Sequence, residues 1–105
     1  MARKWVINDG QFKMSSCVDF HREISRDNST TIGGGMWHLE KDALYLFGES
    51  MDFGRCTEEQ VREAISKSYL GMRFEKCKIY FTTADSVFAA IEAGALVYEP
   101  TKHDS

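Results

Sequence analysis

The stretch TIGGGMWHLEKDALYLFGESMDFG, residues 31–54, decides how this chain folds. Its middle reads as a hairpin. Met36 to Glu40 alternates, with Trp37 and Leu39 on one face; Lys41 and Asp42 make the turn; Ala43 to Phe47 returns. The return strand is apolar at nearly every position, which suits a central strand covered on both sides. Three consecutive glycines, Gly33 to Gly35, open the hairpin. Glycine is the costliest residue to order, so a triple needs a reason. Either it is a loose loop, or the backbone there must pass close to a ligand or another strand.

Outward from the hairpin, Gly48 to Arg55 is a loop of glycine and small polar residues. It runs into a capping box at Thr57 and Gln60, with Glu58 and Glu59 suiting the helix dipole. The helix extends to about Lys67, with Val61, Ala64, Ile65 and Tyr69 on its buried stripe, and Gly71 ends it. Glu75 to Thr82 alternates as a strand with Cys77, Ile79 and Phe81 on one face. Asp85 or Thr83 caps a second helix, with Val87, Phe88, Ala90 and Ile91 inward and Gly94 as the stop. Leu96 to Tyr98 is a last strand, and residues 101–105 are a frayed tail.

Upstream, Lys4 to Ile7 and Gln11 to Met14 are strands joined by a turn at Asn8, Asp9 and Gly10. Val18 to Ile24 alternates as a further strand, which turns His21 away from the core beside Asp19 and Glu23. Arg26 to Thr31 is a polar loop. The expected fold is α+β: a single domain over residues 1–105, with a mixed sheet of about six strands packed with two helices.

Composition narrows the function classes. The chain has 105 residues and a net charge of -3, with its basic residues scattered among acids. It lacks the positive stripe of a nucleic-acid binder. No apolar run is long enough to cross a bilayer or to act as a signal peptide, and no basic amphipathic segment suits a membrane surface. Three cysteines, Cys17, Cys56 and Cys77, form no close pair, which points to a reducing cytoplasm. No zinc-ligand spacing occurs, so no metal and no cofactor is expected.

The loop from Gly48 to Gly54 leaves a buried strand and enters a capped helix. Its amides and the Ser50 hydroxyl could form an anion nest, or its glycines could simply serve the strand-to-helix turn. Beyond spacing, the stretch resembles the signature of the Janus/Ocnus family, the phosphohistidine phosphatases. That pattern is a triple glycine, a polar hairpin, an apolar strand ending in aromatic-Gly, then Ser-Met and a second aromatic-Gly. Here these are Gly33 to Gly35, Phe47 and Gly48, Ser50 and Met51, and Phe53 and Gly54. Upstream, DGQFK (residues 9–13) resembles the family's opening strand, and VDFHREI (residues 18–24) resembles the segment that carries its catalytic histidine.

The resemblance implies a phosphohistidine-phosphatase-like fold and a small cofactor-free phosphatase. Its substrate would be a phosphorylated protein or a small phosphorylated ligand. His21 would be the catalytic base or nucleophile. Lys13, Ser50 and the backbone of Met51, Asp52, Phe53 and Gly54 would bind phosphate. Gly33, Gly34, Gly35 and Gly48 would be structural, the triple letting the backbone pass close to the loop that holds His21. Two positions depart from the family pattern. Met36 stands where the family carries a phosphate-binding arginine, and Asp52 where it carries a small residue. Arg22, Arg55 and Arg73 are the candidate replacement cations.

Other residues have plainer readings. His38 is exposed and inert, His103 lies in the tail, and Trp5 and Trp37 are packing residues. The cysteines are small buried hydrophobes, and Cys56, just before the helix, is the one whose pKa the dipole would depress. The rival functional reading is a non-catalytic binding module on the same scaffold, a homodimer through its sheet edges. A metal-assisted hydrolase using Asp52 has too few ligands to compete.

Overall fold

A computed structural model describes residues 2–25, 27–68 and 74–100. Six strands form one sheet in the order β2-β1-β3-β4-β5-β6. They are β1 (Ala2–Asn8), β2 (Gln11–Val18), β3 (Thr31–Glu40), β4 (Ala43–Phe47), β5 (Lys78–Phe81) and β6 (Ala95–Tyr98). Only β4 and β5 pair in parallel; the other neighbours are antiparallel. Among the described residues two α-helices complete it, α1 (Glu58–Lys67) and α2 (Val87–Ala93). The α+β fold with a six-stranded mixed sheet and two helices is therefore as expected.

The first hairpin forms because Asp9 and Gly10 both take positive φ, 54° and 74°, which matches the twist of the flanking strands. Trp5, Ile7, Leu44, Leu46 and Ile79 alternate onto one face, and Val61, Ala64 and Ile65 of α1 close the core over them. The Thr57 hydroxyl accepts from the Gln60 amide at 3.1 Å, and the Gln60 side chain accepts from the Thr57 amide at 2.9 Å. Thr57→Ala should lower stability by about 1 kcal/mol, read as a shift in the urea midpoint.

Several boundaries differ from the sequence pattern. Val18 to Ile24 is not a strand: β2 ends at Val18, and His21–Glu23 is a 3-10 turn. The Glu23 carboxylate reaches back to accept from the amides of Asp19 (2.8 Å) and Phe20 (2.6 Å), a local closure that breaks the alternation. The strand expected from Glu75 starts at Lys78, because its ladder with β4 begins at Ala43 and the Cys77 amide donates back to Phe74.

The second helix is capped by Ser86, not Asp85 or Thr83. The Ala84 carbonyl accepts from the Gly48 amide at 2.8 Å, which holds that segment out of the helix. With only seven residues, α2 buries Ala90 and leaves Phe88 72% and Ile91 43% exposed, so these two do not face inward as the periodicity suggested. Gly94 ends it as expected. Tyr69, Gly71, Arg73 and residues 101–105 lie outside the described residues.

Candidate functional site

The site is built on the face of the sheet opposite the core. Cross-strand partners share a face, and successive residues alternate. Trp5 and Ile7 belong to the core, so Lys4, Val6 and Asn8 lie on the other side. Val6 pairs with Lys13 on β2 and with Gly34 on β3, which sets these three in one row. His21 lies on top of this row.

Gly34 makes that possible. A Cβ on Gly34 would lie 2.3 Å from the Trp5 carbonyl oxygen, 3.0 Å from His21 Cδ2 and 3.2 Å from Val6 Cγ1. The flanking glycines point to the core side. A Cβ on Gly33 would meet Cys56 Sγ at 2.6 Å, and one on Gly35 the Phe47 carbonyl at 2.5 Å. Each glycine therefore marks a close backbone approach, and the middle one lies against the histidine.

His21 is 2% exposed, not turned out to solvent as a strand reading required. Its Nε2 lies 2.7 Å from the Gly35 carbonyl oxygen. A carbonyl can only accept, so Nε2 carries the hydrogen and donates. In the neutral ring Nδ1 then holds the lone pair. Nδ1 has no hydrogen-bond partner among the described residues. Burial pushes the His21 pKa below its ordinary value of 6.5. The Gly35 carbonyl and the Asp52 charge pull it up and the Lys4 charge pushes it down, but burial prevails. The arrangement is a neutral imidazole, fixed in one tautomer, whose second nitrogen keeps its lone pair.

The Ser50 to Gly54 loop abuts this turn. The Gly34 amide donates to the Gly54 carbonyl at 3.2 Å. Across the other side, Asp52 accepts from the Arg22 amide (3.4 Å) and guanidinium (3.5 Å). The Arg22 guanidinium also lies over the Phe20 ring, 4.2 Å from its centre. Asp52 thus has a cation beside it.

Within the loop, most polar groups are already engaged. Ser50 Oγ accepts from the amides of Asp52 (3.2 Å) and Phe53 (3.1 Å). The Gly54 amide donates to the Ser50 carbonyl at 2.8 Å. Ser50 is buried and organises the turn, while the Met51 side chain is wholly exposed at its tip. Ser50→Ala would strand two amides. It should cost about 1–2 kcal/mol and speed hydrogen exchange at Asp52 and Phe53.

Lys13 is directed elsewhere. Its Nζ donates to Asn8 Oδ1 at 2.6 Å. Asn8 is fully buried, and its Nδ2 donates to the Asp27 carbonyl (2.7 Å) and to Thr31 Oγ1 (2.9 Å). This network ties β1 to the segment between His21 and β3. Nothing in the local sequence around Asn8 signals it, since its partners lie about twenty residues away.

The cysteines and the remaining histidine fall into place. Cys56 is buried and burial pushes its thiol up to about 12, the reverse of the helix-dipole expectation, so it is unreactive. Cys77 is buried but Cys17 is exposed, contrary to the packing role expected of it. His38 stacks on Tyr45, and Tyr45 on Tyr80. Near Tyr45 lies an open groove of about 700 Å³, at the Lys41 end of the hairpin and apart from His21. Its lysines, Lys41, Lys76 and Lys78, are matched by Glu40, Asp42 and Glu99, so its lining carries no net charge.

Among the described residues no group of three or more metal-ligating side chains converges, and no helix is long and apolar enough to cross a membrane. Comparison with protein-family models, curated proteins and solved structures finds no match to this chain.

Proposed function

We propose that this chain handles a phosphoryl group at His21 and hydrolyses phosphohistidine without a cofactor. The observation that carries the reading is the state of His21: a buried, neutral imidazole held by the Gly35 carbonyl through Nε2, with Nδ1 left unpaired. A general base needs a fixed lone pair and a pKa at or below working pH, and both conditions are met.

In the proposed step Nδ1 accepts a proton from water as the water oxygen attacks phosphorus. The P–N bond breaks, the leaving imidazole nitrogen takes up that proton, and inorganic phosphate remains. The resemblance of residues 31–54 to the phosphohistidine phosphatases supports the same chemistry. Phe20 is 49% exposed, and Met51 stands clear of the loop. These apolar side chains flank the Arg22–Asp52 bridge and favour a phosphorylated protein segment over a small phosphorylated metabolite.

The test is dephosphorylation of a phosphohistidine peptide with no added metal. Release of phosphate by the natural protein supports the reading. A folded protein that releases none would assign the scaffold to binding instead.

A further inference from the structure

We propose that Lys4 supplies the cation of this site, holding the anionic group of the substrate beside His21. The inference rests on the reading of His21 as the centre of a phosphoryl site. It is carried by strand register. Lys4 pairs directly with Met36, just as Val6 pairs with Gly34, the glycine under His21. Lys4 and Val6 are two apart on β1 and share a face, so the lysine side chain leaves the sheet one pair along from the floor of the histidine. The His21 Nε2 bond to Gly35 brings the ring toward that same end of the row.

Among the described residues, Lys13, Arg22 and Arg55 are engaged. Lys13 donates to Asn8 at 2.6 Å, Arg22 bridges to Asp52, and Arg55 bridges to Glu49 at 3.1 Å. Lys4 makes no hydrogen bond or ion pair among the described residues, and it is half-buried. An ammonium without a counter-ion is available to a bound anion. Its charge is felt at His21, whose pKa it pushes down, as expected of a lysine on the same face.

Lys4→Met keeps the side-chain length and removes the charge, and Lys78→Met, at the groove apart from His21, is its control. The probe is inorganic phosphate, followed through the His21 ring signals and the amides of Gly34 to Met36. The natural protein and Lys78→Met should show the same saturable shifts. Lys4→Met should bind at least about tenfold more weakly, the worth of one charged hydrogen bond, and Lys4→Arg should recover most of the affinity. An unchanged backbone spectrum in the phosphate-free variant separates this from misfolding. Equal binding by Lys4→Met and the natural protein would overturn the proposal, as would an equal loss in Lys78→Met or no shift at all. Phosphate binding that depends on Lys4, with no phosphohistidine turnover, would uphold Lys4 and remove the hydrolytic reading.

Discussion

Gly34→Ala is expected to destabilise the chain by more than about 3 kcal/mol, beyond the usual cost of overpacking. The added methyl would lie 2.3 Å from the Trp5 carbonyl oxygen, a backbone atom that cannot rotate away. Relief would require β1 and β3 to separate, and the Trp5–Gly35 and Val6–Gly34 pairs sit at the centre of that ladder. The methyl would also press on His21, so any molecule that still folds should lose the buried imidazole. Gly10→Ala is the comparison. It has open space but a φ of 74°, so it pays strain alone, about 1–2 kcal/mol. Urea unfolding of both variants checks this, and a Gly34→Ala midpoint no lower than that of Gly10→Ala would refute the close approach.

His21→Gln is expected to lower phosphohistidine turnover by about 10²–10⁴, the usual contribution of a positioned base. Glutamine can still donate to the Gly35 carbonyl, so the loss would not stem from an unpaired buried acceptor. His21→Ala would lose both, with about 1–3 kcal/mol of stability from the stranded carbonyl. In the natural protein the acid limb of turnover should lie below pH 6.5, since burial lowers the folded pKa from that value.

Stability follows the same linkage. Just below pH 6.5 the unfolded chain takes up a proton on this residue that the folded chain refuses. The contribution of His21 is therefore complete above that pH and is lost as pH falls through the window down to the lowered folded value. His21→Gln should flatten this part of the stability profile. A variant whose pH dependence matches that of the natural protein would show that His21 is not buried neutral.

The hairpin from Met36 to Phe47, the capping box at Thr57 and the alternation through Cys77, Ile79 and Phe81 were all legible because their causes are local. A period of two, a two-residue turn and a hydroxyl three residues from its amide are written in neighbouring positions. Phe88 and Ile91 misled because periodicity describes a face without saying what covers it. His21 misled more deeply. Its alternation with Phe20 and Arg22 resembles a strand, and only the Glu23 carboxylate closing on two amides turns it into a 3-10 turn.

By itself, then, the sequence determined the α+β class, the central hairpin and the start of α1, and left the triple glycine open between a loose loop and a close approach that the structure shows. Only the tertiary structure decided that His21 is the group lying over Gly34, that Lys13 is bound to Asn8, and that Lys4 stands opposite Met36. The physical reason is range. Propensity, capping and alternation act within a few residues, whereas burial of an imidazole and the register of two strands join positions more than ten apart.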